Sequence, residues 1–263
     1  ALIGAGFGLY TKSIGKPLYF VLCLLMIPLA TTELGTDAWI KELMTPTMGS
    51  LAGWAIVASA FIMMILRFQA GVLTTRFSPP VILVISSIFS FCGLMALSVS
   101  SGFAVWGAFV LYAIGQTFYW PTVLGFAAEQ FPRGGALTLN TVSAIGLLSV
   151  GIIGTPILGA FVDNHTVNNV KSVSVEIHAA AMTDAAFFGA SYESIDRGKA
   201  AELAESQGLS GEYNEAINKA SRQSLRTTAF SFPLVMLISF ILIAIYYRSK
   251  GGYKPVVLHR PKS

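Results

Sequence analysis

Glu33 and Asp37 stand four residues apart in "LATTELGTDAW" (29–39), directly after the oily run "PLYFVLCLLMIP" (17–28). Residues four apart share one face of a helix, so a helix through this stretch presents two carboxylates together. In an apolar setting the chemistry open to such a pair is ion exchange. A carboxylate withdrawn from water holds its proton more firmly, which a proton-coupling group requires. Ionisable side chains inside a membrane face the bundle interior and mark substrate or proton paths. If the first helix stops at Thr32, both acids are ordinary groups at the membrane surface. Pro17 to Thr32 is only 16 residues, however, and roughly 20 are needed to cross a bilayer core. A longer helix carries Glu33 inside. Asp37, one turn further out beside Trp39 and Lys41, sits nearer the water. The two acids are the candidate ion-coupling residues.

Further polar groups fall within apolar runs. In "VLYAIGQTFYWPTVLGFAAEQF" (110–131), Gln116 and either Tyr119 or Trp120 recur at helical spacing, just before Pro121. The segment "GGALTLNTVSAIG" (134–146) adds Asn140 and Ser143 a turn apart. Each amide is also explained by hydrogen bonding between helices, about 0.6 to 2 kcal/mol apiece, and Trp120 by an interfacial aromatic belt. Taken together, Glu33, Gln116, Tyr119, Trp120 and Asn140 read as the lining of a polar cavity.

Enzyme signatures are missing. "GAGFGL" has Leu9 where a dinucleotide-binding fingerprint needs its third glycine, and there is no GxxxxGK[ST] phosphate loop. His165, His178 and His259 lie outside the apolar runs without HExxH spacing, so neither a metal site nor a membrane hydrolase is expected. No cofactor is implied.

The elements that must position these groups follow from composition. Hydrophobic residues make up 54% and charged residues 11%, and mean hydropathy is +0.67. A soluble domain carries about a quarter charged residues; this chain belongs in a bilayer. Six runs are long and apolar enough to expect as spans, at about 17–38, 49–66, 80–99, 104–127, 136–162 and 228–247. The expected architecture is an all-α polytopic membrane protein. It comprises a lead-in (1–16), five membrane helices (17–162), a partly helical extracytoplasmic insertion (163–227), a last helix (228–248) and a basic tail (249–263). Lys12, Lys16, Arg67, Arg76, Arg133 and the five basic residues after the last span share one side with a single acid, Glu129. The positive-inside rule therefore puts both termini in the cytoplasm. The tail reads as a juxtamembrane anchor and not as a nucleic-acid arm. Cys23 and Cys92 fall inside apolar runs and imply no disulfide framework. The chain opens at Ala1 with neither Met nor a signal-peptide pattern, and is expected to be part of a longer protein.

The loop "GVLTTRFSPP" (71–80) resembles the motif G-x-L-x-D-R-x-G-R-R/K of the major facilitator superfamily. Gly71, Leu73 and Arg76 match, while Thr75 replaces the acidic position. The family's G-x-x-x-G-P-x-x-G pattern maps onto Gly151, Thr155, Pro156 and Gly159, with Thr155 in place of a glycine. Over roughly 17–162 and 228–248 the chain resembles the C-terminal six-helix half of such a transporter, spans 7 to 12. The resemblance implies two halves that rock about a site near the midplane. It would turn Glu33, Gln116, Trp120 and Asn140 toward that site, make Arg67, Gly71 and Arg76 a cytoplasmic gate loop, and let the helices bend at Pro121, Gly151, Pro156 and Gly159.

The expected function is therefore the C-terminal half of a secondary active transporter. It would move a small polar solute, sugar- or nucleoside-like, with proton or sodium as coupling ion. Its partners would be the N-terminal half and the lipid of a plasma membrane, bacterial inner membrane being the expected one, with no nucleic acid. The alternatives are a non-transporting assembly or receptor protein acting through its outer loop, and a membrane subunit of a pump or channel.

Overall fold

Proline opens several of the helices. Pro17, Pro79 with Pro80, and Pro233 each stand at a first helical turn, where a missing N–H removes no ladder bond. The computed structural model describes residues 16–187 and 190–257. The rest of the lead-in and the end of the tail lie outside the described residues.

The chain begins with α1 (Pro17–Ala30), which passes through a wide π-turn (Thr31–Gly35) into α2 (Thr36–Met48). Gly49, at φ +58°, reverses the chain, a backbone region that glycine enters without steric cost. The next elements are α3 (Ala52–Phe68), the short α4 (Ala70–Arg76) and α5 (Pro79–Val99). A turn through Gly102 leads into α6 (Ala104–Thr117), which breaks at Phe118 and resumes as α7 (Tyr119–Gln130). Then α8 (Gly135–Ser149) runs through a second π-turn (Val150–Gly154) into α9 (Thr155–Val173). A small cap follows: α10 (Val175–Ala181), the antiparallel hairpin of β1 (Met182–Phe187) and β2 (Ala190–Ile195), and α11 (Arg197–Ser206). The last pair is α12 (Ser210–Ser231) and α13 (Pro233–Ser249).

Among the described residues, four helical stretches are long and apolar enough to cross a membrane: Pro17–Phe68, Pro79–Val99, Pro132–Val173 and Ser210–Ser249. The first contains the Gly49 reversal, so it is two rods packed side by side. Three helices overrun the spans expected for them. The first continues to Met48, the fifth to Val173, and the last begins as a helix already at Ser210. The stretch 163–227 is accordingly built largely from continuations of α9 and α12, with a separate core of Val167, Val170, Ile177, Ile195, Ala200 and Tyr213 among others.

Close helix contact rests on small residues, as expected where lipid offers no hydrophobic drive between helices. Ser86, Ser87, Ser90 and Gly93 form a buried stripe on α5. A Cβ on Gly93 would overlap the backbone of Tyr112, and one on Gly115 the backbone of Ser90. The α5–α6 backbones therefore approach as closely as glycine allows. The two π-turns meet in the same way, because a Cβ on Gly154 would strike the Thr31 side chain. Each turn sits next to a helix-interior proline. Pro28 cannot donate to the carbonyl one turn before it, and neither can Pro156. Thr31 and Thr32 hydroxyls fold back onto the carbonyls of Ile27 and Pro28 at 2.8 and 2.7 Å, a bond pattern that bends helices.

Candidate functional site: a buried acid at a broken helix

Pro121 is the local cause of the site. It stands in the first turn of α7, where its missing N–H is tolerated. At Phe118 (φ −102°, ψ 0°) the backbone stays right-handed but departs from ideal helix values, which ends α6 and starts α7. The break leaves carbonyls at the end of α6 and N–H groups at the start of α7 without intrahelical partners. Two charged side chains satisfy them. Glu33, only 4% exposed, accepts the backbone N–H of Trp120 on Oε2 at 3.2 Å. Arg67 donates Nε to the Thr117 carbonyl at 3.2 Å. Arg67 Nη2 also donates to Glu33 Oε1 at 2.9 Å, closing the ring. The signs match the helix dipoles, with an anion at the N-terminus of α7 and a cation at the C-terminus of α6.

The π-turn sets the position of Glu33. It lies in the wide turn Thr31–Gly35, and Tyr112 from α6 hydrogen-bonds the Thr32 carbonyl beside it. Wide turns of this kind recur at functional positions. One turn further on, half-buried Asp37 accepts from Gln116 Nε2 at 3.3 Å, and the same nitrogen donates to Ser59 Oγ at 2.8 Å. Gln116 is fully buried and its Oε1 has no protein partner. The hydroxyl of Tyr119, also fully buried, has no hydrogen-bond partner among the described residues.

Of the residues proposed for a cavity, Glu33, Gln116, Tyr119 and the Trp120 backbone meet around the α6–α7 break, together with Asp37. Asn140 does not join them. It is exposed on α8, whose inward face is Thr138, Val142, Gly146 and Ser149. Within this chain the acid and Gln116 thus come together without Asn140, which lies on the opposite face of its helix. The Trp120 ring packs over Gly146, where a Cβ would come within 2.9 Å of it. Arg67, expected with Gly71 and Arg76 in a gate loop, sits in the last turn of α3 and turns to Glu33. Its other side opens on a groove of about 470 Å³ with Ala60, Met63, Met64 and Phe68. Gly71 and Arg76 are exposed on α4. Gly151 lies in the second π-turn with open space around its Cα, whereas Gly159 packs against Trp39. Pro156 follows that turn in α9.

Sequence reasoning overlooked Arg67 as the partner of Glu33, and Ser59 entirely. The register held the signal. Glu33 lies fifteen residues before Met48 and Arg67 fifteen after Ala52, on either side of the Gly49 reversal. An antiparallel hairpin puts them at one depth.

Residues 15–258 match the family pattern described as Major Facilitator Superfamily. No curated protein matches the chain. Among solved structures, the chain is similar to a bacterial homologue of the human lysosomal transporter Spinster. The inward-facing unoccupied form matches with TM-score 0.68 at 16% identity, covering 92% of this chain and 50% of that one. The inward-facing occupied form matches with TM-score 0.65 at 16% identity, covering 92% and 52%. The chain thus spans about half the length of these structures, and the likeness is one of fold.

Proposed function

Because the chain belongs to the Major Facilitator Superfamily, and is a multi-pass membrane protein of a transporter family, we propose that it supplies the C-terminal half of a secondary transporter. The half would move a small polar solute, sugar- or nucleoside-like, by alternating access, coupled to proton or sodium flow. The observation that carries this reading is the ring of Glu33, Arg67, the Thr117 carbonyl and the Trp120 N–H. It joins an ionisable group to a broken helix, which is the combination ion-driven rocking needs.

A proton or sodium ion on Glu33 would neutralise the carboxylate, loosen its hold on Arg67 and weaken the cap on α7. The break at Phe118 would then bend more easily. Asp37, Gln116 and Ser59 supply the neighbouring polar surface, and the free Gln116 Oε1 offers an acceptor to a solute hydroxyl or amine. The chain matches half the length of transporter structures, and in this reading the partner is a second, N-terminal half. The test is solute uptake by the full-length protein in proteoliposomes, with and without proton and sodium gradients. Uptake should collapse without the coupling gradient, and Glu33→Gln should abolish that dependence. Gradient-independent uptake in the unmodified protein would remove the coupling.

A further inference from the structure

At the basic end of the bundle, α1, α7 and α13 enclose a groove of about 860 Å³, within the roughly 300–1,000 Å³ typical of ligand sites. Its mouth carries Lys16, Lys250 and Lys254 with no acid in the lining. Its wall is apolar, made by the outward-facing Val21 from α1 and Leu242 and Tyr246 from α13, with buried Ile243 behind them.

The mouth is held in shape by a folded-back tail. Tyr253 Oη donates to Glu129 Oε2 at 2.6 Å, Val256 N–H to the Glu129 carbonyl at 2.9 Å, and Gln130 Nε2 to the Lys254 carbonyl at 3.0 Å. Rings of Phe126, Tyr247 and Tyr253 pack edge to face beneath it. Lys16 is steadied over the Phe131 ring, 5.8 Å from its centroid. The nearby carboxylate, Glu129, accepts from Tyr253 and forms no ion pair with these lysines among the described residues.

A cationic rim above an outward-facing aliphatic wall has the charge order of a membrane leaflet. The geometry points to an anionic phospholipid of the cytoplasmic leaflet as its occupant. The phosphate sits among Lys16, Lys250 and Lys254, and one acyl chain lies along Leu242 and Val21. Each lysine near an anionic headgroup strengthens binding about fivefold, so three together separate an anionic from a zwitterionic lipid clearly.

The test is native mass spectrometry of the full-length protein with equal phosphatidylglycerol and phosphatidylcholine. Phosphatidylglycerol adducts should dominate. The triple substitution K16Q/K250Q/K254Q should lower them at least tenfold, while K16R/K250R/K254R, equally charged, retains them. Leu242→Trp, which fills the wall, should reduce them too, and excess inorganic phosphate should leave them in place. Equal retention of both lipids, full retention by the glutamine variant, or displacement by phosphate alone would overturn the assignment. So would a protein dimer appearing in place of the lipid adduct.

Discussion

Glu33 and Arg67 meet at 2.9 Å where α6 gives way to α7, and each also binds one free end of the broken helix. Glu33 is the buried member and Arg67 the accessible one, with side chains 5% and 45% exposed. Removing Arg67 strands a buried carboxylate, whereas removing both charges strands nothing. Arg67→Gln should therefore destabilise the protein by about 1.5–3 kcal/mol, the range for a charged hydrogen bond. Adding Glu33→Gln should recover most of that loss. A double-mutant cycle read by unfolding in detergent measures the coupling. Strictly additive effects would mean that the pair is not energetically linked.

How much of this was legible from the residues depends on what signal each feature left. That the first helix carries on past Glu33 follows from counting, since sixteen residues do not span a bilayer. The face of α8 left no signal. Leu137, Leu147 and Leu148 are exposed on it while Val142 and Gly146 are buried, because lipid rewards apolar side chains outside as well as inside. Asn140 lies on that exposed face, away from Glu33. The continuation of the first helix to Met48 was invisible to hydropathy, since Asp37, Lys41 and Glu42 read as the end of a span. The β1–β2 hairpin, "MTDAAF" paired with "ASYESI", is too short and mixed to announce itself. Its place is set by packing on α9.

Glycine placement gives a steric prediction with an internal control. On α6, a Cβ at Gly115 would overlap the Ser90 backbone and the Phe89 carbonyl carbon, whereas one at Gly107 meets nothing within 4 Å. Gly115→Ala must push two helix backbones apart, at a cost of about 1–3 kcal/mol. Gly107→Ala, inside the same helix with nothing to strike, should hold or raise stability by up to about 1 kcal/mol, because alanine is the better helix former. Thermal unfolding of the two variants checks this, and equal midpoints would contradict the close approach of α5 and α6.

His165 links α9 to α12, sharing a 2.8 Å hydrogen bond with Thr227 through Nε2. Burial lowers its pKa below the ordinary 6.5, so the folded protein favours the neutral ring. The unfolded chain takes up its proton at higher pH than the folded one. The stability this group contributes is fully present above about pH 6.5 and is lost as pH falls through the lower, folded value. His165 is partly exposed, so the midpoint should drop by no more than about 2 °C between pH 7 and 5. H165Q keeps a hydrogen-bonding group without the titration and should flatten that slope. An unchanged slope in H165Q would assign the pH dependence elsewhere.

The cap offers the sharpest separation between a transporter and a protein that acts through its outer face. Its core draws on Ile177, Ala181, Ile195, Ala200 and Ala204, whereas the two cores among the long helices use no residue between 175 and 206. The stems beneath it hold each other directly, through Asn169 Nδ2 donating to Gln223 Oε1 at 2.6 Å and through His165 with Thr227. What joins cap to bundle includes the Arg197–Glu42 pair at 2.5 Å, with side chains 30% and 50% exposed, and such exposed pairs contribute about 0–1 kcal/mol. Replacing 175–206 with a short Gly/Ser linker should therefore leave the bundle folded and preserve at least half of the solute flux. Measuring flux and helicity together on this variant makes the result decisive. A folded bundle that has lost all flux would show that the cap takes part in transport, and a folded bundle whose parent never carried flux would favour the receptor reading.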